Sequence, residues 1–392
     1  MKSTVANEYI LGYNKKKFIW SEYLNMSSVK NSHFIVDNQI IRENIKCILG
    51  ELMPGCSLVP VVKDDAYQFG LLNMGRIISE FDEIEYAAVA HVSEGLALRE
   101  DGFNKKILVL GNPLPHLIEN AIDTGLELSL SGFDIIPRLV EIGKSASLQI
   151  EINSGLNRTG ISPCELGPFA EILKKLPNFI KISGIYSHFS SHGSLETFKR
   201  EYSVFKNAVD YLEASGISLP MKHISSSASF ELSPEYNLDA VRIGRRLYMD
   251  APGVYNGAVR EAGTWQAYIT GIYSHSAGEA LGYESTYILK RDSKLASISV
   301  GYGDGLNQKL VSVHAPVLIN GSRCSLLAGF MDQAIADVTG IDCSVGSKVT
   351  LFGYDEFGNV LPSQEAALLI GDDEGCGLTS ALSGRVERVY IN

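Results

Sequence analysis

From about residue 33 to residue 250 the hydrophobic positions fall into short, β-branched runs. Each is followed by a stretch in which apolar residues recur with a helical period. The runs predict strands at Leu58–Lys63, Glu85–Ala90, Lys106–Gly111, Leu126–Leu130, Leu148–Asn153, Lys181–His188, Met221–Ser226 and Ala240–Arg242. The periodic stretches predict helices such as Val92–Arg99, Pro115–Asp123, Pro163–Lys175 and Leu195–Ala214. Eight strand–helix units in succession predict a TIM-type (β/α)8 barrel. A doubly wound sheet is the alternative, but it would carry a glycine-rich turn after its first strand. That strand instead runs into Lys63-Asp64-Asp65-Ala66-Tyr67, with no G-x-G-x-x-G.

After about residue 262 the pattern changes to alternating apolar and polar positions punctuated by turns. Leu295–Val300, Ala315–Ile319 and Lys348–Phe352 read as strands of an all-β domain, so the fold class is an α/β barrel followed by a β domain. The expected division is an N-terminal extension at 1–29, the barrel at 30–262 and the β domain at 263–392. A short strand at Ser32–Asp37 and a helix at Gln39–Gly50 precede the barrel.

Composition narrows the classes. The chain has 392 residues, with 34 Lys+Arg against 45 Asp+Glu and a net charge of −11, which argues against a nucleic-acid binder. With 45% hydrophobic residues it is expected to bury a sizeable core. No apolar run approaches the roughly 18 residues that cross a bilayer, so no membrane partner is expected. The first twenty residues lack the apolar core of a secretory signal. The cysteines Cys47, Cys56, Cys164, Cys324, Cys343 and Cys376 are scattered without a C-x-x-C pair, which points to reduced thiols, no metal site and a cytoplasmic setting.

In a barrel, chemistry sits where strands end at their C-terminal face. Lys63 closes the first run, and an amine at the mouth of an apolar strand suits Schiff-base chemistry. His188 follows the sixth run and could act as acid, base or orienter. Ser225-Ser226-Ser227 closes the seventh, and Arg242-Ile243-Gly244-Arg245 closes the eighth. Hydroxyls and free backbone N–H groups after strands seven and eight make a phosphate site. A lysine for an aldehyde and a cradle for a phosphate together point to pyridoxal 5′-phosphate.

The motifs then carry a resemblance. Val61-Val62-Lys63-Asp64-Asp65-Ala66-Tyr67 is similar to the V-V-K-A-N-A-Y lysine motif of the alanine racemase family. Asn153–Gly160 resembles its D-T-G-M-x-R-L-G, Ser187-His188-Phe189 its T-H-F, and Val241–Gly244 its R-P-G. Leu281-Gly282-Tyr283, Val300–Gly305, Met331-Asp332-Gln333 and Arg385–Tyr390 follow in family order. The resemblance implies an amino-acid racemase, alanine by default with serine or a somewhat larger side chain as the alternative, with pyridoxal phosphate on Lys63 and a head-to-tail homodimer with shared sites. It further implies that Tyr67, Ser227, Gly244 and the Arg245 backbone bind phosphate, that His188 and Arg242 support the cofactor, and that Arg158, Tyr302 and Met331 bind substrate. Tyr283 and Met331 would come from the other subunit. Lys63 and Tyr283 would be the two bases, on opposite faces of the cofactor.

Two departures bear on the pocket. A tyrosine that contacts phosphate in the family falls on Cys376, and a lysine often carried as a carbamate is Glu151, expected to hold Arg158 directly. The competing readings are a pyridoxal-phosphate decarboxylase on the related barrel and a non-catalytic cofactor-binding protein. Tyr283 opposite Lys63 argues against both.

Overall fold

The computed structural model describes residues 30–191, 193–250, 259–372 and 375–392. The N-terminal extension at 1–29 lies outside the described residues. The chain divides into two units.

The first unit is the barrel. Its parallel strands are β1 (Ser57–Pro60), β2 (Tyr86–Val89), β3 (Lys106–Val109), β4 (Leu126–Leu130), β5 (Ala146–Glu151), β6 (Ile180–Tyr186), β7 (Lys222–His223) and β8 (Ala240–Ile243). Strands β2 to β7 pair in sequence and β1 pairs with β8. Closure comes from a parallel bridge between Val61 and Ala88, and from Asp239 N–H to Lys222 O (3.1 Å) and Arg242 N–H to Ser225 O (3.0 Å). All eight sequence-predicted strands are present. The seventh keeps only two paired residues, because Ile224–Ser226 already leaves the sheet toward the helix Ser227–Leu232.

Helices form where caps and apolar stripes coincide. Asp37 accepts the Ile40 N–H (3.0 Å) and starts Asn38–Glu51, which buries Ile40, Ile41, Ile45 and Ile48. Ser194 caps Leu195–Ala214 through the Thr197 N–H (3.2 Å), and Phe198, Phe205, Val209 and Leu212 face inward. No helix among the described residues is long and apolar enough to cross a membrane.

The second unit is a small antiparallel barrel. Its strands are β9 (Gly263–His275), β10 (Ser293–Ile298), β11 (Pro316–Ile319), β12 (Ser322–Gly329), β13 (Ala334–Asp337), β14 (Lys348–Tyr354) and β15 (Val360–Leu361). The order is β15-β14-β11-β12-β13-β10-β9, and the ring closes because β9 is long enough to pair twice. Trp265–Tyr268 pairs with β14 and Ile269–His275 with β10. The sequence reading assigns everything beyond 262 to the β domain. In the fold, Ser363–Leu382 and Arg388–Asn392 instead group with the barrel unit. Periodicity cannot reveal such a return, because it says which face of a segment is buried and not against what.

Candidate active site

The first strand delivers Lys63 into an unusual turn. Asp64, Asp65, Ala66, Tyr67 and Gln68 all have positive φ, between 50° and 72°, which makes one turn of left-handed helix. Its bonds run from Ala66 N–H to Val62 O (3.0 Å), from Gln68 N–H to Asp64 O (3.1 Å) and from Gly70 N–H to Asp65 O (2.9 Å). Such a conformation costs roughly 1–2 kcal/mol per L-residue, and aspartate tolerates it better than alanine or tyrosine. The repeat of about 3.6 residues returns positions 63 and 67 to one face. Lys63 itself makes no hydrogen bond or ion pair among the described residues. The Asp65 carboxylate accepts the Leu71 N–H (2.7 Å), tying the turn to the next helix. Gln68 accepts a hydrogen bond from Arg388, so the segment Arg388–Asn392 of the same unit reaches this turn as well.

Arg242 is the second anchor. Its Nη1 donates to His223 Nδ1 (2.7 Å), and its Nη2 donates to Ser187 O (2.6 Å), His188 Nδ1 (3.1 Å) and Ile224 O (3.2 Å). Burial pulls the guanidinium down to about 10, which leaves it charged at neutral pH. Burial, and then the charge of Arg242, holds His223 far below the usual histidine range. His223 is therefore neutral, with Nδ1 accepting and Nε2–H donating to Gln149 Oε1 (2.7 Å). Gln149 Nε2 donates to Glu127 (2.8 Å), which also accepts from Tyr86 (3.1 Å) and Ser183 (2.8 Å). Several of these contacts skip a strand, so the chain runs through the barrel interior. The hydrogen bonds of Arg242 to side chains and carbonyls all run from its two Nη atoms.

The third element is a cradle. Ser227 Oγ accepts the Gly244 N–H (3.3 Å) and the Arg246 N–H (3.5 Å), while the Tyr67 hydroxyl lies so close to Gly244 that a Cβ there would overlap it. A hydroxyl pair and two backbone N–H groups converging beside a glycine suit a phosphate. Gly244→Ala is expected to push Tyr67 out and weaken pyridoxal phosphate binding at least tenfold, as measured by fluorescence titration of the cofactor-free enzyme. An unchanged affinity would dismiss this cradle.

Comparison with known proteins decides the family. The description "Alanine racemase, N-terminal domain" matches residues 36–252, and "Alanine racemase, C-terminal domain" matches 262–390. The chain belongs to the alanine racemase family. It is 31% identical to the alanine racemase of Methanococcus maripaludis, over 91% of this chain and 98% of that protein. The alanine racemase of Desulforamulus reducens gives the same identity and coverage. Among solved structures, alanine racemase from Bacillus anthracis with bound L-Ala-P superposes with a TM-score of 0.84 and 26% identity, covering 93% of this chain and 96% of that one. The alanine racemase of Clostridium difficile gives 0.81 and 26%, covering 93% and 97%.

For a member of the alanine racemase family, this chain places some expected residues together and others apart. Lys63 and Tyr67 share the left-handed turn, His188 meets Arg242, and Ser227 meets Gly244. The Arg245 side chain turns toward Glu231 (3.5 Å), which leaves the role expected of its backbone open, and the neighbouring Arg246 N–H reaches Ser227. Glu151 does not hold Arg158. Its buried carboxylate accepts from Ser131 (2.6 Å) and Thr159 (3.0 Å), while Arg158 is exposed, so the expected direct pair is corrected. Tyr283, Tyr302 and Met331 gather on one outer face of the β unit. Tyr283 packs edge-on against Phe330, Tyr302 N–H bonds to Phe330 O (2.9 Å) and Gly303 N–H bonds to Met331 O (2.8 Å). Their exposures are 73%, 39% and 57% in that order. Cys376 precedes the short helix Gly377–Ser380, which lies near the Lys63–Tyr67 turn.

Sequence reading missed His223, Gln149 and Glu127. The available signal was a polar residue at an inward strand position, as in Leu126-Glu127-Leu128, where a barrel normally places an apolar one.

Proposed function

We propose that the chain interconverts L- and D-alanine with pyridoxal 5′-phosphate, as a homodimer whose sites are completed across the subunits. The observation that carries this reading is the cradle of Tyr67, Ser227 and Gly244 beside the turn that presents Lys63. When bound, the cofactor supplies the electron sink that acidifies the substrate Cα–H. Lys63 Nζ would anchor it and would be one of the two groups that move a proton. Arg242 would support the cofactor and, remaining charged, would not give up its proton. Ser227, Tyr67 and the N–H groups of Gly244 and Arg246 would hold the phosphate.

The second proton carrier is Tyr283 of the partner subunit, because its exposed face, shared with Tyr302 and Met331, suits docking over a neighbour's site. Arg158 and these residues would bind the substrate. Glu151 acts at a distance, stiffening the loop after β5 through Thr159. Cys376 leaves more room than a tyrosine would, which suits alanine and side chains slightly larger.

The test is incubation of the purified holoenzyme with L-alanine in deuterated water. Racemisation with one deuterium entering at Cα per turnover is expected. Release of carbon dioxide would turn the reading to a decarboxylase, and a chirally unchanged, unlabelled substrate would leave a cofactor-binding protein.

A further inference from the structure

We infer that Glu94, outside the site described so far, is a positioning residue that fixes the backbone immediately after Lys63. The inference rests on Lys63 being one of the two proton carriers. Glu94 lies in the helix Val92–Glu100 that follows β2. Its Oε2 accepts the N–H groups of Ala90 (2.8 Å) and His91 (3.0 Å), an ordinary cap at the start of its own helix. Its Oε1 does something different. It accepts the Asp64 N–H at 2.7 Å, thirty residues away, across to the mouth of β1.

Asp64 is the first residue of the left-handed turn, and its N–H belongs to the peptide that leaves Lys63. The turn is costly for its five residues, none of them asparagine or glycine, so surrounding bonds must over-determine it. A charged acceptor on that one N–H orients the peptide plane next to the Lys63 Cα, and through it the direction in which the side chain starts. A misplacement of about 1 Å at a reacting group can cost on the order of a hundredfold. Glu94 therefore joins the ends of two barrel strands, and one carboxylate serves both.

The two tasks can be separated. In Glu94→Gln the single carbonyl oxygen is drawn to the side with two donors, Ala90 and His91, and the helix cap survives. The amide NH2 then faces the Asp64 N–H, two donors that cannot bond. The volume is unchanged, so the barrel should fold normally.

Two measurements on the full-length protein test this. The first is amide hydrogen exchange with and without pyridoxal phosphate. Asp64 should lose protection by about ten- to a hundredfold while Ala90 and His91 keep theirs. The second is Cα proton exchange in deuterated water from each enantiomer. The half-reaction served by Lys63 should slow at least tenfold more than the half-reaction served by Tyr283. A cap alone would give unaltered Asp64 protection, or an equal slowing of both half-reactions, and either result overturns the inference. Lost Asp64 protection with both half-reactions at their wild-type rates overturns it too. Should the wild-type protein exchange no Cα proton at all, the racemase reading fails, while the exchange at Asp64 still reports whether Glu94 holds the turn.

Discussion

Lys63→Ala is expected to abolish racemisation, with a loss of at least about 10⁴-fold, because one substitution removes both the covalent anchor of the cofactor and one of the two proton carriers. Borohydride treatment of the wild-type holoenzyme followed by peptide mapping should place the reduced cofactor on the peptide containing Val61–Tyr67. The structure explains why this amine is available. It follows the first strand directly after the buried Val61 and Val62, and it makes no ion pair among the described residues that would tie it up. The phosphate cradle of Ser227 and Gly244 does not involve the lysine, so the variant should still bind the cofactor reversibly and more weakly. Recovery of the adduct on any other lysine, or activity within tenfold of wild type, would sink the assignment.

Tyr283→Phe should separate the two directions of the reaction. The variant keeps the ring, and hence its edge-on packing against Phe330, and loses only the hydroxyl. Removal of the α-proton from L-alanine should fall by about 10²–10⁴-fold, the range expected for loss of a positioned acid–base group. Exchange from D-alanine, served by Lys63, should persist. Mixing Tyr283→Phe with Lys63→Ala subunits adds a check on the shared site. In a heterodimer each defect falls in the same one of two sites, so the other site is complete and activity returns. If the two variants never complement, each subunit supplies both bases to its own site. If L-alanine exchange is unchanged in Tyr283→Phe, the tyrosine is not a proton carrier.

The sequence determined the architecture of this protein to a large extent. Eight apolar runs with helical stretches between them predict a parallel α/β fold, the absence of a glycine-rich turn after the first run favours the barrel over a doubly wound sheet, and all eight strands formed. Site residues that follow strands, such as Lys63, His188 and Ser227, were legible because a barrel gathers its strand ends on one face. Tyr283, Tyr302 and Met331 were found only by resemblance, since nothing in their local pattern says that they come to share one surface of the β unit.

Tertiary structure decided the rest. It set the left-handed turn at Asp64–Gln68, which no propensity predicts because local energies oppose it and only bonds from elsewhere in the barrel unit, such as those of Glu94 and Arg388, make it tolerable. It turned Glu151 to Ser131 and Thr159 and away from Arg158, because a buried carboxylate takes the donors that reach it first. It also threaded Arg242, His223, Gln149 and Glu127 into one chain through the barrel. Those four residues are spread over more than a hundred positions in sequence. Only the closure of the sheet brings their side chains within hydrogen-bonding distance, and burial then obliges each polar group to find a partner.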